Sequence, residues 1–409
     1  MPQPPYAAPR LRALGTTALT ALLAASSVLG AAPANAGKAD RWSVPDRAWV
    51  TITGHGFGHG HGMSQYGAQG AARSGLTHRD IIDFYYPGTT WGQAEGRVSV
   101  MISADTTDDV VVLARPDLSL RDTAVRGRTL LPDNGAEQWR ITVARNGENR
   151  VAYRTDRWRR YATLEGEGEF FAKGRPITLV TPYGERTYRG RLRAAAPSEG
   201  SRARDTVNVL SLEHYLKGVV PLEMPALWHP EAVRAQAVAA RTYASFERDH
   251  PRAKHYQLCD TSSCQVYGGY DAEHPASNEA VKATKRLALT ADGKPAFTQF
   301  SASSGGWTSA GSFSYLPARE DPYDDHPGNP VHTWSVKLMD TRLESAWSTI
   351  GDLEQIVVVR RDGNGEWGGR LREVTIIGSR GRVTVSGDTF RSVLGLRSTW
   401  VTFKVTERR

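Results

Sequence analysis

Glu223 is the carboxylate whose surroundings most favour acid–base chemistry. It lies between Pro221 and Pro225, and its direct neighbours are the apolar Leu222 and Met224. Because proline fixes the backbone angle φ, this frame predicts a stiff turn. Burial among apolar neighbours raises the pKa of a carboxyl group, as a general acid near neutral pH requires. The alternative is the exposed glutamate of an ordinary turn.

The segment after this turn predicts a helix with a face of small residues. It opens at Pro230, a position where a missing N–H costs nothing, and continues through residues 231–246. Gln236 and Tyr243 lie on the small-residue face. A buried amide must be hydrogen-bonded, so Gln236 contacts either substrate or the backbone of the Glu223 turn. Arg241 lies on the neighbouring face of this helix. It either binds an anionic group of the ligand, as an anion clamp, or is a solvated surface arginine. The face itself comprises Ala232, Ala235, Gln236, Ala239, Ala240 and Tyr243.

A loop rich in glycine and histidine spans residues 54–62. His55, His59 and His61 are spaced in a way that suits a zinc site. All the other residues of the loop are Gly or Phe57, and glycine also permits close approach of the backbone to a ligand. We therefore predict no metal and keep zinc as the alternative.

The chain has two cysteines, Cys259 and Cys264, only five positions apart. In an exported protein such a pair predicts a local disulfide. A zinc site is the alternative, with His250, His255 and His274 available as further ligands. Two cysteines in all exclude a disulfide-dense scaffold and any zinc module built from four cysteines.

Two further motifs allow more than one interpretation. Ser303 and Ser304 precede two glycines, which suits a serine hydrolase, but the G-x-S-x-G elbow is missing. A small-residue loop lining a sugar groove fits equally well. Residues 157–160 interleave arginine with tryptophan; for an exported protein, a wall polyanion or a solvated strand face is a better interpretation than nucleic acid.

The first 36 residues predict a secretory signal peptide. Arg10 and Arg12 precede an apolar stretch, and Ala34–Ala36 forms an A-x-A cleavage site. The stretch is diluted by Gly, Ser and Thr, so we expect cleavage near Ala36 and no transmembrane anchor in the mature, secreted protein. The net charge of +8 over 409 residues permits an anionic partner without requiring nucleic acid.

The remaining pattern predicts an α+β protein with mostly antiparallel sheet, a helical catalytic segment and a β-rich inserted subdomain. Leu212, Tyr215, Leu216 and Val219 have helical spacing, which Pro221 should end. Two shorter helices are expected from Met63 to Ala72 and from Arg79 to Tyr85, with Thr77 as N-cap. We divide the mature chain into a loop-and-helix part, a β-rich subdomain, a catalytic core and a C-terminal β-rich part, at residues 37–95, 96–208, 209–330 and 331–409.

Several long motifs resemble the SpoIID/LytB family. They are the segments Leu212–Pro225 and Ala235–Tyr243, the stretch Phe300–Gly306, and the loop end Gly62–Ala68 with its trailing Tyr86–Thr89. The resemblance covers most of residues 50–320. In this chain the Gly–His loop comes first, whereas in the sporulation relatives it lies towards the C-terminus.

The resemblance implies a peptidoglycan lytic transglycosylase, or a non-catalytic enhancer of a wall amidase. The family's catalytic glutamate falls on Glu223, which would act without a second carboxylate; Asp260 is the fallback partner. No cofactor is implied, and the partners are glycan strands and a wall amidase. The expected substrate-binding residues are His59, His61, Ser64, Gln65, Tyr66, Gln236, Arg241, Tyr243, Ser303 and Ser304.

Overall fold

The computed structural model describes residues 40–408. The predicted signal peptide therefore lies outside the described residues. Within the described part, no helix combines the length and the apolar character that crossing a membrane requires.

Seven α-helices and two short 3-10 helices occur in the described chain. The α-helices are α1 (Gln65–Arg73), α2 (His78–Tyr85), α3 (Leu212–Glu223), α4 (Pro230–Asp249), α5 (Pro275–Ala283), α6 (Asp340–Ala346) and α7 (Gly387–Leu394). The 3-10 helices are Ser348–Ile350 and Glu366–Gly368.

The strands fall into three groups along the chain. The first group is β1 (Asp40–Ser43), β2 (Ala48–His55), β3 (Met63–Ser64), β4 (Thr90–Gln93) and β5 (Arg97–Met101). The second is β6 (Val110–Leu113), β7 (Ser119–Asp122), β8 (Thr129–Leu130), β9 (Gln138–Val143), β10 (Asn149–Arg154), β11 (Trp158–Leu164), β12 (Gly168–Phe171), β13 (Ile177–Thr181), β14 (Gly184–Tyr188), β15 (Arg191–Ala195) and β16 (Asp205–Ser211). The third is β17 (Leu258–Cys259), β18 (Leu287–Ala291), β19 (Lys294–Pro295), β20 (Phe300–Ser301), β21 (Thr333–Met339), β22 (Leu353–Arg361), β23 (Leu371–Gly378), β24 (Gly381–Ser386) and β25 (Val401–Glu407).

These strands build sheets that are antiparallel almost throughout. The two largest have the orders β17-β5-β16-β15-β12-β7-β8 and β11-β10-β9-β6-β13-β14. The parallel pairs are the short β17–β5 and β20–β3 contacts. The prediction of an α+β fold with mostly antiparallel sheet is confirmed.

Local sequence signals explain the helix starts. Ser64 caps α1, Thr77 forms a full capping box with Asp80 at α2, and Pro230 occupies the first turn of α4. The prediction that Pro221 ends the preceding helix is wrong. Helix α3 passes through Pro221 and ends at Glu223, so Glu223 terminates a helix and does not lie in a free turn. A proline this close to the end removes a single helical hydrogen bond, and the buried Val219 and Val220 hold the last turn in place.

The buried apolar residues form two main clusters. The larger cluster contains the helices α1 to α5 and both large sheets. The smaller one joins β2 to the strands and helices after residue 333. The Gly–His loop starts from β2 in the smaller cluster and ends at Met63 in the larger one, so it connects the two cores.

Candidate functional site

A cleft of about 590 Å³ lies where six segments meet. It is bounded by the Gly–His loop, the start of α1, the end of α3, helix α4 and two loops near residues 263 and 300. Its lining residues are Phe57, Gly58, His59, Gln65, Leu222, Glu223, Tyr243, Arg252, Ser262, Ser263, Cys264, Phe297, Gln299, Phe300, Ser301 and Ala302. Glu223 is the one acidic side chain among these described lining residues.

The Glu223 carboxyl group is half-buried at the end of α3. Its Oε1 accepts a hydrogen bond of 2.7 Å from the backbone N–H of Val266. Burial raises the pKa of Glu223, and the hydrogen bonds from Val266 and the Gln65 side chain offset part of that effect. The group therefore keeps its proton to a higher pH than an ordinary glutamate.

Gln65 connects Glu223 to helix α4. Its Nε2 donates a 3.3 Å hydrogen bond to Oε1 of Gln236, which is fully buried. Gln236 does not line the cleft. Of the two alternatives for this residue, the structure favours the supporting role, in which Gln236 orients Gln65 and Gln65 in turn contacts the carboxylate.

The glycines of the Gly–His loop allow it to pack directly on the residues around 301. A β-carbon at Gly58 would lie 2.7 Å from that of Ser301, and one at Gly56 would lie 2.7 Å from the carbonyl oxygen of Ser303. At Gly62 an added β-carbon would overlap the carbonyl oxygen of Gln299. Two motifs that are about 240 residues apart in the sequence thus form one wall of the cleft.

The three histidines of this loop do not converge on one point. His59 and His61 stack with ring centroids 5.0 Å apart, whereas the His55 Nε2 lies 3.0 Å from a carboxylate oxygen of Glu366. Burial and neighbouring cations lower the pKa of His59 to about 3, so its ring is neutral. Its Nδ1 accepts from the backbone N–H of His61. Among residues 40–408 no group of three His, Cys, Asp or Glu side chains is placed to hold a metal ion.

Ser64, Ser303 and Ser304 are buried beside the cleft and do not line it. Ser64 and Ser303 donate to the carboxylate of Asp324, at 2.6 and 2.8 Å. Ser304 donates to Asp321 at 2.7 Å. These hydroxyl groups are committed to internal acceptors, which disfavours the serine-hydrolase alternative.

The two buried aspartates were missed by the sequence reasoning. Burial and the nearby Asp324 raise the pKa of Asp321 to about 7. The pKa of Asp324 is lowered despite its burial, because His332 and the two serines donate to it. Neither residue carries a local sequence signal, since the partners lie far apart along the chain.

Arg241 and Tyr66 also lie outside the cleft lining. Arg241 is fully buried and pairs with Glu213 through two hydrogen bonds of 2.9 Å, so neither an anion clamp nor a surface position describes it. Tyr66 packs against Trp228 with centroids 4.8 Å apart. Of the predicted substrate-binding residues, His59, Gln65 and Tyr243 line the cleft.

The predicted disulfide between Cys259 and Cys264 is confirmed. Its loop places Ser262, Ser263 and Cys264 on the cleft. Asp260, the fallback acid, accepts from the Ser103 N–H at 3.0 Å and is not a lining residue.

The sequence reasoning also missed Phe57, Arg252 and the Val266 N–H. Arg252 is held by Glu247 at 2.6 Å and donates to the Tyr243 hydroxyl at 3.3 Å. The position of Phe57 in the middle of the Gly–His loop was a usable signal. A backbone donor such as Val266 leaves no signal in residue type.

Known proteins resemble the part of the chain that contains Glu223. Residues 201–290, which include α3, Glu223 and α4, match the family model described as SpoIID, Stage II sporulation protein. The chain is 38% identical over 136 residues to the protein named Amidase enhancer of Bacillus subtilis, covering 32% of this chain and 18% of that protein. It is 28% identical over 228 residues to Stage II sporulation protein D of the same organism, covering 48% of this chain and 61% of that relative. The protein of that name from Bacillus amyloliquefaciens is 33% identical over 222 residues, with 47% and 60% covered.

The fold and the site therefore define an α+β protein with a SpoIID domain whose matched segment contains Glu223. The comparisons support assignment of the chain to the SpoIID/LytB family. It spans about three fifths of the sporulation relatives and less than a fifth of the amidase enhancer.

Proposed function

We propose that this protein acts outside the cell as a lytic transglycosylase that cleaves the glycan strands of peptidoglycan. The family and the printed names of its relatives suggest a role related to the cell wall. The observation that carries the finer proposal is Glu223, a single carboxyl group with a raised pKa on a cleft that is otherwise apolar, neutral-polar and cationic.

In the proposed reaction Glu223 first donates its proton to the glycosidic oxygen that joins N-acetylmuramic acid to N-acetylglucosamine. As the bond from C1 to that oxygen breaks, the C6 hydroxyl of the same muramoyl unit attacks C1. The carboxylate of Glu223 takes the proton of that hydroxyl. The product is a 1,6-anhydro ring, the proton returns to Glu223, and no water is consumed.

This scheme suits a cleft with one acidic lining residue. Glycosidases that retain or invert configuration typically use a pair of carboxyl groups, one as acid and one as nucleophile or base. Intramolecular attack needs neither the nucleophile nor a positioned water molecule. The Val266 N–H and Gln65 then stabilise the carboxylate after it has given up its proton.

The test is mass spectrometry of glycan strands digested by the purified protein, with and without stem peptides. We expect anhydro-muramoyl ends, which are lighter than hydrolytic ends by one water. Glu223→Gln should lower the rate by about 100-fold or more, since it removes the general acid. The matched control is Glu279→Gln, an exposed glutamate outside the cleft, which should leave the rate unchanged. Products with ordinary reducing ends, or no products from folded protein, would refute the proposal.

The second candidate is a non-catalytic enhancer of a wall amidase. It is favoured by the name of the Bacillus subtilis relative, which is 38% identical to this chain. In that case Glu223→Gln protein should stimulate the amidase as well as the unsubstituted protein does. Measuring both activities on the same preparations separates the two functions.

A further inference from the structure

Phe57 is an aromatic side chain that the fold leaves uncovered in the cleft. The residue is 43% exposed. The other apolar rings of the lining are packed against neighbours: Tyr243 stacks on Phe297 at 5.4 Å and contacts Phe300 at 6.5 Å. Phe57 belongs to neither of the main hydrophobic clusters, so its ring contributes little to the core.

The backbone of Phe57, in contrast, is fixed. Its N–H donates to Ser303 at 2.9 Å, and its carbonyl accepts from the Ser303 N–H at 3.0 Å. The flanking Gly56 and Gly58 donate to the carbonyls of His332 and Arg397. The backbone that carries the ring is therefore fixed before any ligand arrives, and only the two side-chain torsions of Phe57 remain to be ordered on binding.

A second uncovered apolar side chain stands next to the carboxylate. Leu222 is 46% exposed, lines the same cleft and precedes Glu223 on α3. The cleft therefore presents apolar surface both beside its acid and on the Gly–His loop. Polar lining groups such as Gln299 and Ser301 accompany it. This mixture matches a pyranose, which has hydroxyl groups around its edge and faces made of C–H bonds.

We infer that Phe57 is a sugar-binding platform on which one face of an N-acetylhexosamine ring of the glycan stacks. This inference rests on the proposed function for the class of ligand. It assigns to the Gly–His loop a direct role in binding through Phe57. The glycines and the histidines support that role by holding the loop in its position at the cleft.

The inference is tested by binding rather than cleavage. Saturation-transfer NMR is recorded with a tetrasaccharide of alternating N-acetylglucosamine and N-acetylmuramic acid, on full-length protein carrying Glu223→Gln so that the ligand survives. We expect transfer concentrated on the C–H protons of one ring face. Adding Phe57→Ala should abolish that pattern and weaken binding about five- to tenfold, the range of an aromatic contact. Phe57→Trp should restore both.

The matched control is Tyr183→Ala, which removes the ring of a 72% exposed tyrosine that is not among the lining residues of the cleft. It should leave binding unchanged. Equal affinity of Phe57→Ala and the parent would overturn the inference if thermal melting shows both folded. The tetrasaccharide could bind with the expected proton pattern while the unsubstituted protein fails to cleave it. That outcome would refute the proposed reaction and support Phe57 as a sugar-binding platform.

Discussion

At Glu223, burial and hydrogen bonding act on the pKa in opposite directions. Burial raises the pKa, and the donors Val266 and Gln65 lower it. The balance matters because, in the proposed reaction, the same group gives up a proton and then accepts one. Of the two donors, Gln65 is a side chain and is open to substitution, whereas the Val266 N–H belongs to the backbone.

Gln65→Leu should therefore raise the pKa of Glu223 further. A general acid works while it is protonated, so activity falls as the pH rises through its pKa. With the higher pKa, this fall should occur at higher pH than in the unsubstituted protein. The measurement is the pH dependence of anhydro-product formation.

Gln93→Leu, on an exposed strand position, provides the control for this profile. It should have the same alkaline limb as the unsubstituted protein. An alkaline limb that stays in place in Gln65→Leu, or moves to lower pH, would contradict the assigned effect of Gln65.

At the scale of elements, the cleft wall depends on two loops whose backbones touch. Gly62 has a φ of +65° and faces the Gln299 carbonyl. Gly88 has a similar φ of +80° and open space around it. Alanine substitutions at the two positions share the cost of backbone strain, and only the one at Gly62 adds the cost of close packing.

Gly88→Ala should lower the free energy of unfolding by about 1 kcal/mol, the cost of placing a β-carbon in the left-handed region. Gly62→Ala should lower it by at least about 3 kcal/mol, because the loops must also separate. Urea denaturation measures both. Equal losses in the two variants would show that the contact with Gln299 is unimportant.

The same elements show what was predictable. The helix starts after Thr77 and at Pro230 were predicted well because caps and N1 prolines act within one turn, whereas the first helix begins at Gln65 and not at the predicted Met63. The end of α3 was not, since tertiary packing carries the helix past Pro221. Glu223 could be identified from its neighbours, but Asp321 and Asp324 are defined by partners distant in sequence.

Across the whole molecule, the buried aspartates tie an early part of the described chain to a segment near residues 304–332. Asp321 accepts from Tyr85 of α2 at 2.9 Å and from Ser304, and Asp324 contacts Ser64 and His332. The network therefore links helices from early in the chain to the loops that follow α5.

This network should make stability depend on pH. The pKa of Asp321 is raised from 3.8 to about 7, so the folded state holds its proton more tightly than the unfolded state. The stabilisation is complete below about pH 4 and is lost as the pH rises through 7. Asp321→Asn should remove this dependence of the free energy of unfolding on pH, whose slope is at most about 1.4 kcal/mol per pH unit. Chemical denaturation at several pH values measures it.

Asp133→Asn, a change at an exposed aspartate outside this network, should leave the profile unchanged. If Asp321→Asn and the unsubstituted protein lose stability in parallel between pH 4 and 7, Asp321 is not the group responsible.

Strand β2 lies between β21 and β25, so its residues 48–54 pair with residues 401–407. Closing this contact brings together segments about 350 residues apart, and such distant contacts form late and slowly. Because β2 leads directly into the Gly–His loop, the strands on its two sides, residues 333–339 and 401–407, together fix the start of that loop. A chain truncated before residue 401 therefore keeps Glu223 but lacks one of the two strands that hold the start of the Gly–His wall of the cleft.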